Sequence, residues 1–444
     1  MSESSDAGKP LQGRAVGIVG AGPAGLVAAE RLAMLGARVT VYERLAAPGR
    51  KLLMAGRGGL NLTHSEPIEA FLARYPDAAP ALTHAIRAFP PAALLEWVHG
   101  LGIETFVGSS GRVFPRAMKA SPLLRALLTR LAGLGVVIRT RHRFEGWSDD
   151  GGLRFSTPDG PLTTPAPDAV LLALGGASWP RLGSDGRWVE LLAARRVAIT
   201  PLVAANAGVR IAWSETFRAR CEGQPLKRIA LAIGTTVRRG EAVVTRTGLE
   251  GGAVYALGPA LRAALSAGPP VTIEVDLMPE TGTAELARRL ARPRRKQSMA
   301  TFLRKAAGLA PIAASLLRED RRGALPHDPE ALAGRIKAVQ LPVDGLAGLE
   351  RAISTAGGVR FDGLDTHLML GALPGVFVAG EMLDWDAPTG GYLLQATFAT
   401  AHAAADGIAA WSTGRPQDRG GPDTDTNDPP APSPSTGKTD RAID

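Results

Sequence analysis

The sequence predicts an α/β protein whose nucleotide-binding sheet is built from both ends of the chain and interrupted by an inserted strand-rich and helical region. Three observations predict it. Near the start, "GIVGAGPAGLVAAERLAMLGARVTVYER" (residues 17 to 44) reads as strand, glycine turn, helix and second strand. Beyond residue 200 the texture changes to alternating segments such as "PLKRIALAIGTTVRRGEAVVTRTG" and "PVTIEVDLMP", followed by charged helical sequence to about 340. Near 353 the buried-strand and glycine character returns with "ISTAGGVRF" and "GVFVAGEMLDWDAPTGGYLLQATFATAHAAADGIAAW". The implied boundaries are 14–200 with 350–412 for the discontinuous domain, 201–280 for a β-rich subdomain, 281–349 for a helical one and 413–444 for a tail.

The bulk composition agrees. A chain of 444 residues is too long for one compact core, and 45% hydrophobic with 21% charged residues describes a globular protein. The net charge of +9 comes from arginines scattered along the chain rather than packed in one block, which leaves nucleic acid open as a partner without making it the expected one. A single cysteine, Cys221, builds neither a disulfide nor a thiolate metal site, so no metal is expected and a reducing cytoplasm fits. The apolar run from Ala15 to Ala29 is interrupted by glycines and Pro23, unlike a signal peptide, and is too short to span a bilayer. The last thirty or so residues carry too few apolar groups to offset the entropy of ordering.

Residues 1 to 13 read as a loose polar leader, Ala15 to Val19 as the first strand and about Pro23 to Leu35 as the helix. Further helices are expected near 67–75, 91–100 and 120–134, with strands in "GVVIRTRHRFEGW" and "DAVLLALGG". The motif Gly20-Ala21-Gly22-Pro23-Ala24-Gly25 gains meaning from this context, because it follows a strand, opens a helix and precedes Glu43 at the end of the next strand. Gly20 permits the turn, Gly22 lets a diphosphate approach the backbone, and Gly25 lets helix and strand pack closely. The helix N-terminus then faces the phosphates. Glu43 is the acceptor for two ribose hydroxyls, which suits both NAD and FAD.

Two further stretches favour a flavin. "PGRKLLMAGRGGLNLTHSEP" (48 to 67) offers Gly56, Gly58 and Gly59 flanked by Arg50, Lys51 and Arg57, with Asn61 and Thr63 as neutral hydrogen-bonding groups. In the rear segment, Glu381 leaves a buried strand, and Gly390-Gly391 stand at a helix mouth whose N–H groups suit a ring carbonyl that gains negative charge on reduction.

With "RVFPRAMKAS" (112 to 121), "LALGGASWPRLGSDG" (172 to 186) and "TRTGLEGG" (245 to 252), these segments resemble the BaiN/RdsA-type (YhiN-like, aminoacetone-oxidase-like) NAD(P)/FAD-dependent oxidoreductases over about residues 14 to 411. The resemblance implies a Rossmann-like FAD-binding domain of the glutathione-reductase type. It carries FAD contacts to Gly20, Gly22, Ala24, Gly25, Glu43, Arg50, Lys51, Gly56, Asn61, Gly175, Glu381, Gly391 and Tyr392; the flanking Pro23, Arg44, Phe144, Gly380 and Leu393 complete the candidate set. Many relatives read SGGGRCNVTN and TGLSGP where this chain has "AGRGGLNLTH" and "TGLEGG", so substrate and catalytic identity do not transfer.

The expected function is an FAD-dependent oxidoreductase acting on a small organic substrate, by NAD(P)H-driven reduction or by oxidation of an amine or ketone with O2. With no second glycine turn in strand context, NAD(P)H would dock only transiently. No residue is assigned as catalytic; His64 and Tyr392 are the candidates for proton transfer, with packing the favoured role of each. Asp384 and Asp386 are expected to order the loop before Gly390. "RPRRKQ" (292 to 297) is read as a solvated helix face in preference to a contact for a nicotinamide phosphate or RNA; a flavin-bearing RNA-binding or RNA-modifying protein is the alternative that the +9 charge motivates, and an NAD-only dehydrogenase is a third reading. The sequence assigns neither a substrate nor an oligomeric state.

Overall fold

The computed structural model describes residues 8–268 and 270–414. The β-branched and apolar segments flagged above form a five-stranded sheet in the order Val376–Val378, Ala169–Leu172, Ala15–Val19, Arg38–Glu43, Val137–Thr140. All four pairings are parallel. Near-continuous burial of Ala15–Val19, Ala169–Leu172 and Val376–Val378 is what a sheet covered on both faces requires, while the edge strand Val137–Thr140 is partly open to water. The register sets Val19 beside Tyr42 and Leu172, so the strand ends Val19, Glu43, Leu172 and Val378 come to one edge, where α/β sheets bind ligands.

The helix Pro23–Met34 packs against the C-terminal helix Tyr392–Thr413. Alanines at 396, 399, 401, 404 and 405 are fully buried on the latter, and their small side chains let the two helices approach closely across 360 residues of sequence. One hydrophobic core unites residues from Leu11 to Val197 with residues from Val359 to Ile408.

A second core, from Val209 to Val343, belongs to the intervening chain. Its sheet has seven strands in the order Val339–Val343, Val271–Asp276, Pro225–Ile233, Thr236–Thr245, Gly248–Glu250, Val209–Arg210, Gly345–Leu346, paired antiparallel. The helices Thr283–Leu290, Met299–Ala307, Pro311–Leu316 and Pro329–Lys337 bury their apolar faces in that same core. Separate β-rich and helical subdomains meeting at 280 are therefore not what forms: Val339–Val343 returns from the helical stretch to pair with Val271–Asp276. An antiparallel ribbon, Ile199–Ala205 with Ser354–Val359, connects the two bodies.

Two further local readings are corrected. Residues 292–297 lie in the connection between two helices rather than on a helix face, because Pro293 interrupts the helical pattern. "GVVIRTRHRFEGW" splits at Arg141, whose φ of +60° turns the chain from the parallel sheet into a separate antiparallel one containing Arg143–Trp147. The C-terminal helix reaches Thr413 with Gly414 as its cap, and residues 415–444 of the expected tail lie outside the described residues. Among the described residues no helix is long and apolar enough to cross a membrane.

Within the C-terminal helix, His402 stacks on Phe89 with centroids 4.0 Å apart, and its Nε2 has no hydrogen-bond partner. Burial, with the charge of Arg31, pushes its pKa down to about 4, against the opposing influence of Asp406. The unfolded chain then binds a proton that the folded one refuses, between the ordinary histidine value near 6.5 and about 4. The stabilisation is fully present above that upper limit and is lost as pH falls toward the lower one. Replacing His402 with Phe is expected to remove this share of the acid sensitivity, about 3 kcal/mol at most, in urea unfolding at pH 7.5 against pH 4.5; an unchanged pH slope contradicts the assignment.

Candidate functional site

At the sheet's carboxyl edge the chain encloses a cavity of about 690 Å³, lined from both ends of the sequence. The front turn is as tight as the glycines allow. A Cβ on Gly25 would stand 1.9 Å from the Gly20 carbonyl oxygen, and one on Gly22 would meet nothing within 4 Å. Gly25 is thus required for packing, and Gly22 leaves open space where the helix begins. That helix has no side-chain cap, so its first-turn N–H groups are available to an acceptor.

Glu43 is buried at the end of its strand. Its Oε2 accepts from the Ala21 N–H at 3.0 Å and its Oε1 from the Leu45 N–H at 2.8 Å. Burial raises its pKa, while those two bonds and the Arg44 charge pull the other way. Arg44 pairs with Asp185 at 2.5 Å and donates to the Pro180 carbonyl, fixing that wall.

The loop after Gly49 forms a short helix, Arg50–Ala55, and a 3-10 turn, Gly56–Gly58. From it Lys51 reaches along the cavity wall: its Nζ donates to Ser178 Oγ at 2.6 Å and to Glu381 Oε2 at 2.5 Å. Glu381 also accepts from the backbone N–H groups of Gly176, at 3.3 Å, and Thr355, at 3.1 Å. One carboxylate thereby holds three otherwise distant segments.

The mouth of the C-terminal helix seats directly on the front loop. Gly391 has φ +98°, and a Cβ there would lie 2.5 Å from Thr63 Cα. Thr63 Oγ1 donates to Gln395 Oε1 at 2.8 Å, and Gln395 Nε2 donates to the Phe89 carbonyl at 2.6 Å, all buried. Asp386 pairs with Arg262 of the insert and Asp384 accepts from Thr200, so both aspartates hold the loop before Gly390.

Of the residues expected to contact a cofactor, Gly20, Gly22, Pro23, Ala24, Glu43, Arg44, Arg50, Lys51, Asn61, Phe144, Gly175, Glu381, Gly390, Gly391 and Leu393 line the cavity. Gly25, Gly56, Gly58, Thr63, Gly380 and Tyr392 stand outside the lining. Gly56 and Gly380 are packing glycines, with Cβ positions 2.7 Å from Ala120 and 2.9 Å from Ala24 respectively. The side chain of Arg57 lies outside the described structure.

The two proton-transfer candidates are turned elsewhere. The Tyr392 hydroxyl donates to Glu66 Oε1 at 2.6 Å, and burial together with that carboxylate drives its pKa well up. His64 has both ring nitrogens engaged: Nδ1 accepts from the Glu66 N–H at 3.1 Å and Nε2 faces the Ser110 carbonyl at 2.9 Å. Neither side chain lines the cavity.

Sequence reasoning missed Ser178, Ser184, Asp185 and Thr355. Three of them lie in "LGGASWPRLGSDG", a segment whose glycines and polar residues were the available signal. Thr355 Oγ1 accepts from the N–H groups of Ala177, at 2.8 Å, and Ser178, at 3.1 Å, which shapes the loop around Lys51.

The cavity suits FAD on its own chemistry. Asn61 Oδ1, Ser184 Oγ and Arg44 Nε are buried polar atoms of lining residues without a hydrogen-bond partner, and buried polar groups normally have one. Together with Glu43, Glu381 and the uncapped helix, they supply the acceptors and donors that a dinucleotide with hydroxylated sugars needs.

A parallel sheet with a diphosphate-type turn and a cavity closed by both chain ends defines the class of FAD-dependent oxidoreductases with a Rossmann-type FAD-binding domain. The chain belongs to the HI0933-like protein Rossmann domain family, which matches residues 14–407. It is 28% identical to the 3-dehydro-bile acid delta(4,6)-reductase of Clostridium scindens, over 88% of this chain and 97% of that protein. It is 24% identical to the ribosomal RNA dihydrouridine synthase of Haemophilus influenzae, over 88% and 98% of the two chains. Its fold resembles that of 3-ketosteroid delta1-dehydrogenase from Sterolibacterium denitrificans, with TM-score 0.51, 14% identity and coverage of 89% and 99%.

Replacing Gly391 with Ala is expected to lower stability by about 2–4 kcal/mol, from strain at positive φ and the clash with Thr63. Gly58→Ala, with open space around the new Cβ, is expected to cost under about 1 kcal/mol. Urea unfolding of the two variants checks this; equal losses contradict the packing.

Proposed function

We propose that this oxidoreductase passes a hydride between a small organic substrate and N5 of FAD, with NAD(P)H or O2 as its redox partner. The observation that carries the reading is the Lys51–Glu381 bridge, which brings the front loop and the rear segment into one cavity wall. When bound, the flavin supplies hydride and electron transfer that side chains do not perform.

The chain's own work is binding and placement. Glu43 keeps lone pairs free beside its two backbone bonds, and these accept from ribose hydroxyls; its charge repels a 2′-phosphate. First-turn N–H groups after Gly22 take the diphosphate, and Arg50 adds positive charge beside them. Glu381, fixed by Lys51, accepts from sugar-alcohol hydroxyls. Gly390, Gly391 and the helix they open turn N–H groups and the positive dipole end toward the ring. The hydride step itself needs no protein acid or base, and the proton that completes reduction of an enone, or that an oxidised substrate gives up, is exchanged with water, which fits a cavity that His64 and Tyr392 do not line.

The 28% identical relative is named for reduction of a 3-dehydro-bile acid, and that supports a reductive reaction on an apolar ring system. A second reading, RNA as the substrate, is favoured by two curated relatives named ribosomal RNA dihydrouridine synthase and by the exposed loop carrying Arg292, Arg294 and Arg295.

Anaerobic stopped-flow mixing with NADH and with NADPH is expected to bleach the flavin with at least one of them, and an enone or air to restore it. Bound flavin that neither nicotinamide reduces, and that no amine or ketone reduces, contradicts the reading; a salt-sensitive RNA complex lost on neutralising Arg292, Arg294 and Arg295 supports the second. Glu43→Ala is expected to weaken FAD binding by about 1–3 kcal/mol, roughly 5- to 150-fold, in equilibrium titration. An unchanged affinity contradicts the ribose assignment.

A further inference from the structure

Beside the cavity lies a surface that cofactor binding does not use. The strand Arg112–Pro115 alternates, with Val113 and Pro115 buried, Phe114 half-buried and Arg112 exposed. Cross-strand pairing sets Phe106 opposite Phe114, their rings stacked at 5.7 Å. Met118 is 39% exposed and Phe106 37% exposed, so with half-buried Phe114 they leave a contiguous apolar surface open to water.

This face borders the cavity at two points. The Met118 Cε and Phe114 Cε1 atoms lie 2.6 and 3.7 Å from the Cβ position of Gly59, a lining residue. Met118 holds φ +53°, a left-handed conformation that a non-glycine residue adopts only under strain. At the other end, Arg112 Nε lies 3.7 Å from the Cβ position of Gly390, also a lining residue.

Charge completes the description. The Arg112 guanidinium has no hydrogen-bond or ion-pair partner among the described residues. The nearby carboxylate of Glu66 is already neutralised, bonded to Arg74 at 2.7 Å and to the Tyr392 hydroxyl. A cation free to take an anion thus stands about 7 Å along the strand from an exposed apolar platform, two residues away.

We propose that this face recognises the substrate, and that the substrate is an apolar organic carboxylic acid. Its hydrocarbon skeleton lies on Phe114, Phe106 and Met118, and its carboxylate meets Arg112 in a charge-assisted pair. The proposal rests on the oxidoreductase reading above. A two-ring acid matches the separation of cation and platform, with the skeleton between Gly59 and Gly390 beside the cavity.

The test titrates the FAD-loaded protein with 2-naphthoate and with the neutral 2-naphthamide, following the flavin spectrum. The acid is expected to bind about tenfold tighter than the amide. Arg112→Gln is expected to abolish that preference while leaving FAD content and amide affinity unchanged. Met118→Ala is expected to weaken both ligands alike. Equal affinity of acid and amide for the wild-type protein, a preference that survives Arg112→Gln, or a spectrum that neither ligand perturbs overturns the proposal. FAD content, measured on every preparation, separates this failure from failure of the cofactor reading: a flavin-loaded protein indifferent to the acid loses only the proposal made here.

Discussion

The Lys51 ammonium meets the Glu381 carboxylate at 2.5 Å across 330 residues of sequence, and the rest of the site depends on that meeting. Both side chains are largely withdrawn from water, where an ion pair is stronger and an unpaired charge more costly. Because Glu381 also accepts from the Gly176 and Thr355 N–H groups, the bridge fixes three segments relative to the front turn. Gly391 on Thr63 and Gln395 between Thr63 and Phe89 repeat the closure a few residues away with neutral groups. An insert of its own core can therefore interrupt the chain without parting the cavity walls.

The parallel sheet was legible because its signals are local. A glycine turn between apolar runs, with an acidic residue closing the second, needs no knowledge of distant contacts. Glu43 is an instance: its place at the strand end put it at the ligand edge, although its bonds to Ala21 and Leu45 were not foreseeable. The domain division at 280 failed because Val339–Val343 follows a long helical stretch, and only pairing with Val271–Asp276 shows that both share a core.

Side-chain direction was harder to read than position. Tyr392 follows a lining glycine, which suggested proximity to the ring, but each helical residue turns about 100° from the last. Leu393, Leu394 and Thr397 face the cavity, whereas Tyr392 and Gln395, three apart, face the front loop. The bonds of Ser178 and Thr355 were hidden for a related reason, although the segment holding Ser178 was itself recognisable. Their importance lies in contacts between loops far apart in sequence, and neither periodicity nor spacing records such contacts.

Titration of the FAD-free protein with FAD and with ADP tests the central claim most directly, since ADP carries only the half that the front turn contacts. If both chain ends close on one cofactor, one FAD binds per chain, roughly 100-fold or more tighter than ADP. Equal affinities for FAD and ADP, or no uptake of FAD, would contradict it.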